Sequence, residues 1–162
     1  MTTFALLSKF NTWANAQVFT TCAGLSDGDY HLDRKVFFGS IHNTLNHNLV
    51  VDRLWFSRAK GVEHGIKSLD QILHDDFDSL RLARIAEDQG IIDFVTSLDE
   101  DSLAQSVDFH TMAGDPGTMA MRDILISVFN HQTHHRGQVT AMLTQAGVKY
   151  PDLDIPVYLG AV

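Results

Sequence analysis

Three of the nine histidines in this 162-residue chain crowd into one short run, His131-Gln-Thr-His134-His135-Arg136. The run sits mid-way along a segment whose apolar residues recur at helical steps. Ile124, Val128, His131, His135, Gln138 and Met142 follow one another at steps of four and three, the inward stripe of an amphipathic helix. His131 and His135 therefore stand where apolar side chains are expected, one turn apart on the same face. Two imidazoles so placed can chelate one metal ion. His134 lies about 100° round the helix from His135 and is the weaker candidate. Burying imidazoles is costly unless their nitrogens find partners. A divalent metal is one such partner and a hydrogen-bonded carboxylate is another, and the spacing alone leaves both open. Gln132 stands where metalloproteases of the HExxH type carry their Glu, so that mechanism lacks its general base.

A metal needs a further ligand, and the best donor is His47, mid-way along an earlier helical segment. Three protein ligands leave coordination positions free for water or substrate, the pattern of a catalytic rather than a closed structural site. Asp52 shares the face of His47 poorly. Two roles are open to it: orienting a histidine or a metal-bound water from behind, or pairing at the surface with Arg53 or another base. Gln138 continues the ligand stripe and can hydrogen-bond a ligand; its plainer role is a buried amide with a backbone partner. Arg136 points off the ligand face and is expected to pin its helix to a carboxylate. Trp13 and Trp55 are expected in packing rather than as substrate platforms. His31, His64, His74 and His110 lie on polar or loop segments and need only solvent. His42, near the start of the second helix, reads as structural.

The elements that must position these residues are four long helices. The first spans about Thr3 to Cys22. The second opens at Ser40, a good N-cap, and stops at Gly61. The third is opened by Ser68 or Asp70 and runs to about Leu98. Its apolar face is Ile72 or Leu73, Phe77, Leu80, Ile85, Ile92 and Val95, and Gly90 is a candidate kink. Between Asp99 and Thr118 the pattern is irregular, with a strand at Val107–Met112 and a turn at Gly114–Gly117, hence a small hairpin. Thr118 is expected to cap the fourth helix, which runs from Met119 to Ala146 with Gly147 at its C′ position. The fold class is all-α: a four-helix bundle with a short irregular or hairpin segment before the last helix, in a single domain over residues 1–162.

Composition bounds the function classes. Twenty acidic against twelve basic residues give a net charge of −8, and no Lys/Arg run breaks the balance. That disfavours nucleic acid and anionic membranes as partners. A lone Cys22 excludes an intramolecular disulfide framework and reads as a small buried apolar residue. No basic-then-apolar leader pattern and no apolar run near the ~20 residues of a membrane span occurs, so a soluble, cytoplasmic protein is expected.

Three motifs in order resemble those of the DinB/YfiT-like metalloenzyme family, the damage-inducible bundle proteins rather than the polymerase of similar name. Phe10-Asn-Thr-Trp13-Ala14-Asn15 is similar to the family's aromatic-x-x-Trp-Ala-Asn. Thr44-Leu-Asn-His47, continuing to Asp52-Arg-Leu-Trp55, is similar to its Leu-x-His…Asp/Glu-x-x-Trp. His131-Gln-Thr-His134-His135-Arg136-Gly137-Gln138 is similar to its His-x-x-x-His-Arg-x-Gln, and the tail Gly147–Pro156 matches the family's usual ending. The resemblance implies an up-down-down-up bundle, a homodimer, and a divalent metal (Zn, Ni or Fe) on His47, His131 and His135. It also implies chemistry on small molecules. Relatives include thiol S-transferases and thiol-dependent isomerases that use low-molecular-weight thiols such as bacillithiol, mycothiol or glutathione. The expected function is a metal-dependent, thiol S-transferase-like enzyme. The alternatives are a metal-dependent hydrolase and a non-catalytic, stress-associated bundle that binds a metal or ligand.

Overall fold

Helical periodicity becomes four long helices and three short ones in the computed structural model, which describes residues 2–162. In chain order these are α1 (Thr3–Cys22), α2 (Asp27–His31), α3 (Ile41–Lys60), α4 (Phe77–Ser97), α5 (Glu100–Ala104), α6 (Met121–Gln145) and α7 (Ile155–Tyr158). Strands β1 (Ser106–His110) and β2 (Pro116–Ala120) pair antiparallel between α5 and α6, with Ser106 opposite Ala120 and His110 opposite Pro116. The protein is thus mainly helical with a two-stranded sheet. α1 packs on α4 and α6, and α3 packs on α6 and α4.

The long helices bury apolar residues at both ends and polar ones between. At one end Val18, Leu49, Leu80 and Met142 share a cluster; at the other, Phe56, Ile91, Ile124 and Leu125 do. Asn15, Asp52, Arg84, Asp88, Gln132 and Arg136, all buried, fall between these groups along their helices. α3 is buried on nearly every side in its middle, which is why its residues reach both this polar layer and the site below.

Caps explain most helix boundaries. The Ser40 hydroxyl accepts from the Asn43 N–H at α3's start, and Gly61, at φ 66°, ends it in the left-handed conformation that glycine adopts without strain. α4 departs from expectation: it starts at Phe77, capped by Asp76, not at Ser68 or Asp70. Buried Asn46 holds the intervening chain instead. Its Oδ1 accepts from the Leu73 and His74 N–H groups and its Nδ2 donates to the His74 carbonyl. Those backbone groups are thereby withdrawn from helix formation. α4 is continuous through Gly90. Its buried face is Leu80, Arg84, Asp88, Ile91 and Val95, while Ile85 is 57 % exposed. Thr118 does not cap the last helix; it lies in β2 and donates to Asp108 across the hairpin. α6 begins directly after β2 with no side-chain cap, its first N–H given to the Gln105 carbonyl.

Candidate metal centre

His47 projects from the middle of α3 and His131 and His135 from the middle of α6, and these two helices pack together. Their ring nitrogens converge: one from each residue lies within 4.8 Å of the others. Nε2 of His47 and Nε2 of His131 are 3.0 Å apart. Donors on one zinc-type ion, at about 2.0–2.1 Å each, would stand roughly 3.3 Å apart, close to the spacing of His47 and His131.

The hydrogen bonds behind two of the rings set their tautomers. Nδ1 of His47 lies 2.7 Å from the Leu69 carbonyl, which only accepts, so Nδ1 carries the proton and Nε2 keeps its lone pair. Nδ1 of His135 lies 2.8 Å from Oε1 of Gln138, whose Nε2 donates to His134. That amide orientation makes His135 the donor and leaves its Nε2 free as well. His131 has a buried Nδ1 with no partner. Outward donation from metal-binding histidines is the usual means of fixing their orientation and raising their basicity. Phe38 stacks on His47 at 3.9 Å and meets His135 edge-on at 5.6 Å, so it covers one side of the cluster.

Charge is withheld from these rings. Burial first, and then His135, His47 and His134, push the His131 pKa down to about 3. Burial lowers His135 to about 4 against the opposing pull of Gln138. Burial likewise lowers His47, opposed by the Leu69 carbonyl. All three are neutral donors at pH 7, the form that binds metal. With converging ring nitrogens, an orphaned Nδ1 on His131 and no charge, the residues fit a divalent ion.

The cluster opens into a cleft of about 990 Å³, lined by Phe37, Leu54, Trp55, Arg58, Phe109 and Met112 among others. That is the upper range of small-molecule pockets. One wall is α3; the hairpin forms another. Gly117 lets the hairpin close, because a Cβ there would sit 2.8 Å from the Phe109 ring. Phe109 in turn meets Trp55 edge-on at 5.0 Å.

Several expectations need correction. Asp52 is not among the groups that converge with the histidines, and it is not at the surface. It is fully buried, its Oδ2 accepting from Arg84 at 2.6 Å and from Gln132 at 2.7 Å, while Arg53 pairs with Glu87. Burial raises its pKa to about 6, although Arg84 and Gln132 pull the other way. Arg136 does not meet a carboxylate directly. It donates to Asn11, Asn15 and Thr133, and the two asparagine amides pass the contact on to Asp88. Gln138 does touch a histidine, as its place on the stripe allowed. His134 is exposed on the flank and lines the cleft mouth. His131 lies at the edge of the buried face, where Gln132 is the fully buried residue. Trp55 packs on the core but also lines the cleft; Trp13 packs against Phe10 and Tyr158. His64 and His74 are half-buried rather than exposed. His42 is buried beside Asn46, as a structural residue should be. Buried Cys22 has its pKa raised to about 12 by desolvation, so it is no nucleophile.

The sequence profile of the DinB family matches residues 1–161. The chain belongs to the DinB family. It is 28 % identical over 169 residues to Protein DinB of Bacillus subtilis (strain 168), covering 98 % of this chain and 95 % of that one. Its fold is similar to the crystal structure of a DinB-like protein from Bacillus cereus ATCC 10987. The TM-score is 0.67 at 20 % identity, over 87 % of this chain and 91 % of that one. At that identity the likeness speaks for the DinB fold alone. Among the described residues no helix is long and apolar enough to cross a membrane.

The residues missed by sequence reasoning are those that build the cleft. His47, Val51, Leu54 or Trp55, and Arg58 follow at helical steps on one face of α3, so that signal was present in the sequence. The contributions of Phe38, Leu69 and Phe109 come from loop and hairpin geometry, which periodicity does not encode.

Proposed function

We propose that His47, His131 and His135 hold one divalent metal with coordination positions open to the cleft, and that this centre acts on a small molecule as a thiol S-transferase-like enzyme. The observation that carries the reading is the convergence of three neutral imidazoles, two with their Nδ1 protons donated outward to Leu69 and Gln138. When bound, such an ion supplies Lewis acidity that lowers the pKa of a coordinated thiol or water. The chain's own part is to orient the donors, to exclude water with Phe38, and to admit the partner between α3 and the hairpin. Asp52 is fully buried, with one of its oxygens held by Arg84 and Gln132. The family resemblance favours a thiol over water as the incoming nucleophile. Zn²⁺, Ni²⁺ and Fe²⁺ all suit three imidazoles.

The single domain and its up-down-down-up helix order are part of the same reading. The ends at which helices join the two apolar clusters support the order: α3 and α4 enter from the Leu49/Leu80 cluster, α1 and α6 from the other. The family resemblance supports a homodimer in a cytoplasmic setting, which sedimentation equilibrium and cell fractionation test. The reaction is tested by incubating metal-loaded protein with an aryl electrophile and a panel of low-molecular-weight thiols. Conjugate formation that disappears in His47→Ala is expected. Turnover without any thiol would replace the reading with hydrolysis, and no turnover would leave a binding protein.

A further inference from the structure

The end of the cleft away from the histidines carries one cation. Arg58 is the sole Lys or Arg lining it. It stands eleven residues after His47 on the same stripe of α3, which places the two about 16 Å apart along the helix. Its guanidinium lies 4.8 Å over the Trp55 ring and 4.9 Å over the Phe109 ring, and its Nη2 donates to the His110 carbonyl. The group is thus oriented from three sides before any ligand arrives.

No carboxylate completes it. Arg34, Arg53 and Arg84 each pair with an acidic residue, whereas Arg58 has none within ion-pair distance among the described residues. Asp108 and Glu63 line a recess on its other side without reaching it. Burial lowers its pKa, the mark of a cation partly stripped of water with no anion in return. Asp70, the one carboxylate lining the cleft, adjoins Leu69 and so belongs to the histidine end. Between the ends run Val51, Leu54, Trp55 and Phe109. The cleft is therefore polar at both ends, apolar between, and cationic only at Arg58.

We propose that Arg58 is a specificity-determining residue that binds the anionic end of the ligand. The ligand is an elongated molecule, apolar in its middle, with a carboxylate or like anion on Arg58 and its other end at the histidines. A carboxylate there gains charge-assisted hydrogen bonds from the guanidinium edges that His110 leaves free, and the aromatic rings keep the fork oriented. The required length is roughly 10–15 Å, set by the helical spacing less the reach of the two side chains. The placement of the far end rests on the metal reading; the anion site does not.

The test is calorimetric titration of metal-stripped protein with 6-phenylhexanoate and with its neutral amide. The acid should bind about tenfold more tightly than the amide. In Arg58→Gln the two should bind within about twofold of each other, and in Arg58→Lys the preference should persist in part. Should Arg58→Gln fail to fold, the wild-type preference must still shrink as salt rises from 50 to 500 mM, on the order expected for one screened ion pair. Equal binding of acid and amide by the wild type, no binding of either, or a preference retained in folded Arg58→Gln overturns the proposal. A second titration uses 8-(imidazol-1-yl)octanoate with zinc-loaded and zinc-free protein. Tighter binding with zinc joins the two ends. No effect of zinc alongside an intact acid preference counts against the metal reading and leaves the anion site standing.

Discussion

The two helices that carry the histidines also carry a second polar constellation, and the two have opposite fates. Behind the cleft, Asp52 of α3 and Gln132 of α6 meet Arg84 and Asp88 of α4 and the Arg136–Asn11–Asn15 group. Burial pulls the Arg84 pKa down, but Asp88 and Asp52 outweigh it and the pKa is raised. Burial lowers Arg136 to about 10, still charged at neutral pH. This layer pairs carboxylate with guanidinium inside the chain, among residues of four helices, although Oδ1 of Asp52, Nε of Arg84 and Oε1 of Gln132 have no hydrogen-bond partner. In front, three imidazoles meet with no acid among them, and Nε2 of His47 and Nε2 of His131 face each other at 3.0 Å. A polar layer with its counter-charges supplied by the chain sets how the helices pack. One made of neutral donors that converge with no acid among them fits a cation from outside.

That contrast can be broken from either side. The largest expected effect is on the closed layer. Arg84→Met leaves Asp52 and Asp88 buried without their cation and should cost about 3–5 kcal/mol of stability, read from urea unfolding. Metal content per folded molecule should not change. A stable Arg84→Met would mean the layer is ornamental. Next comes Gln138→Leu, which removes the acceptor behind His135. It should weaken zinc binding by about 10–100-fold in competition with a chromophoric chelator. Its melting temperature without metal should stay near wild type, since Gln138 is outside the closed layer. If stability falls and zinc affinity holds, the roles of the two faces are reversed.

The smallest effect is on pH dependence. His131 and His135 have folded-state pKa values of about 3 and about 4, below their ordinary 6.5. The unfolded chain therefore takes up more protons across that window, and their contribution, complete above 6.5, is lost as pH falls. Asp52, raised to about 6, runs the other way between its ordinary value of 3.8 and 6. From pH 7 to 6 the two histidines outweigh the partial titration of Asp52, so the melting temperature of metal-free protein should decline. His131→Leu should flatten that decline, and an unchanged slope would place the titrating groups elsewhere.

Much of the site was legible in the sequence. A four-three stripe placed His131 and His135 together and relegated His134, because helical geometry alone decides which side chains share a face. The closed layer was not legible for the same reason. Arg84 and Asp88 occupy core positions of α4, so the apolar pattern pointed to Ile85 and Ile92 and rotated the helix wrongly. Asp52 was read as exposed or metal-directed because its partner lies 32 residues away. The segment 68–76 has helical composition, yet Asn46 and His47 draw its backbone onto α3, a tertiary demand that local propensity does not show. Thr118 is a good cap by type, but strand pairing claimed it first.

The central claim is that three histidines, and no others, hold one metal. Elemental analysis of purified protein after equilibration with zinc and exhaustive dialysis tests it most directly, on wild type, His135→Ala and His134→Ala, each checked for native circular dichroism. The account predicts about one zinc per chain in wild type and in His134→Ala, and a small fraction of that in His135→Ala. Equal zinc in wild type and folded His135→Ala would contradict it.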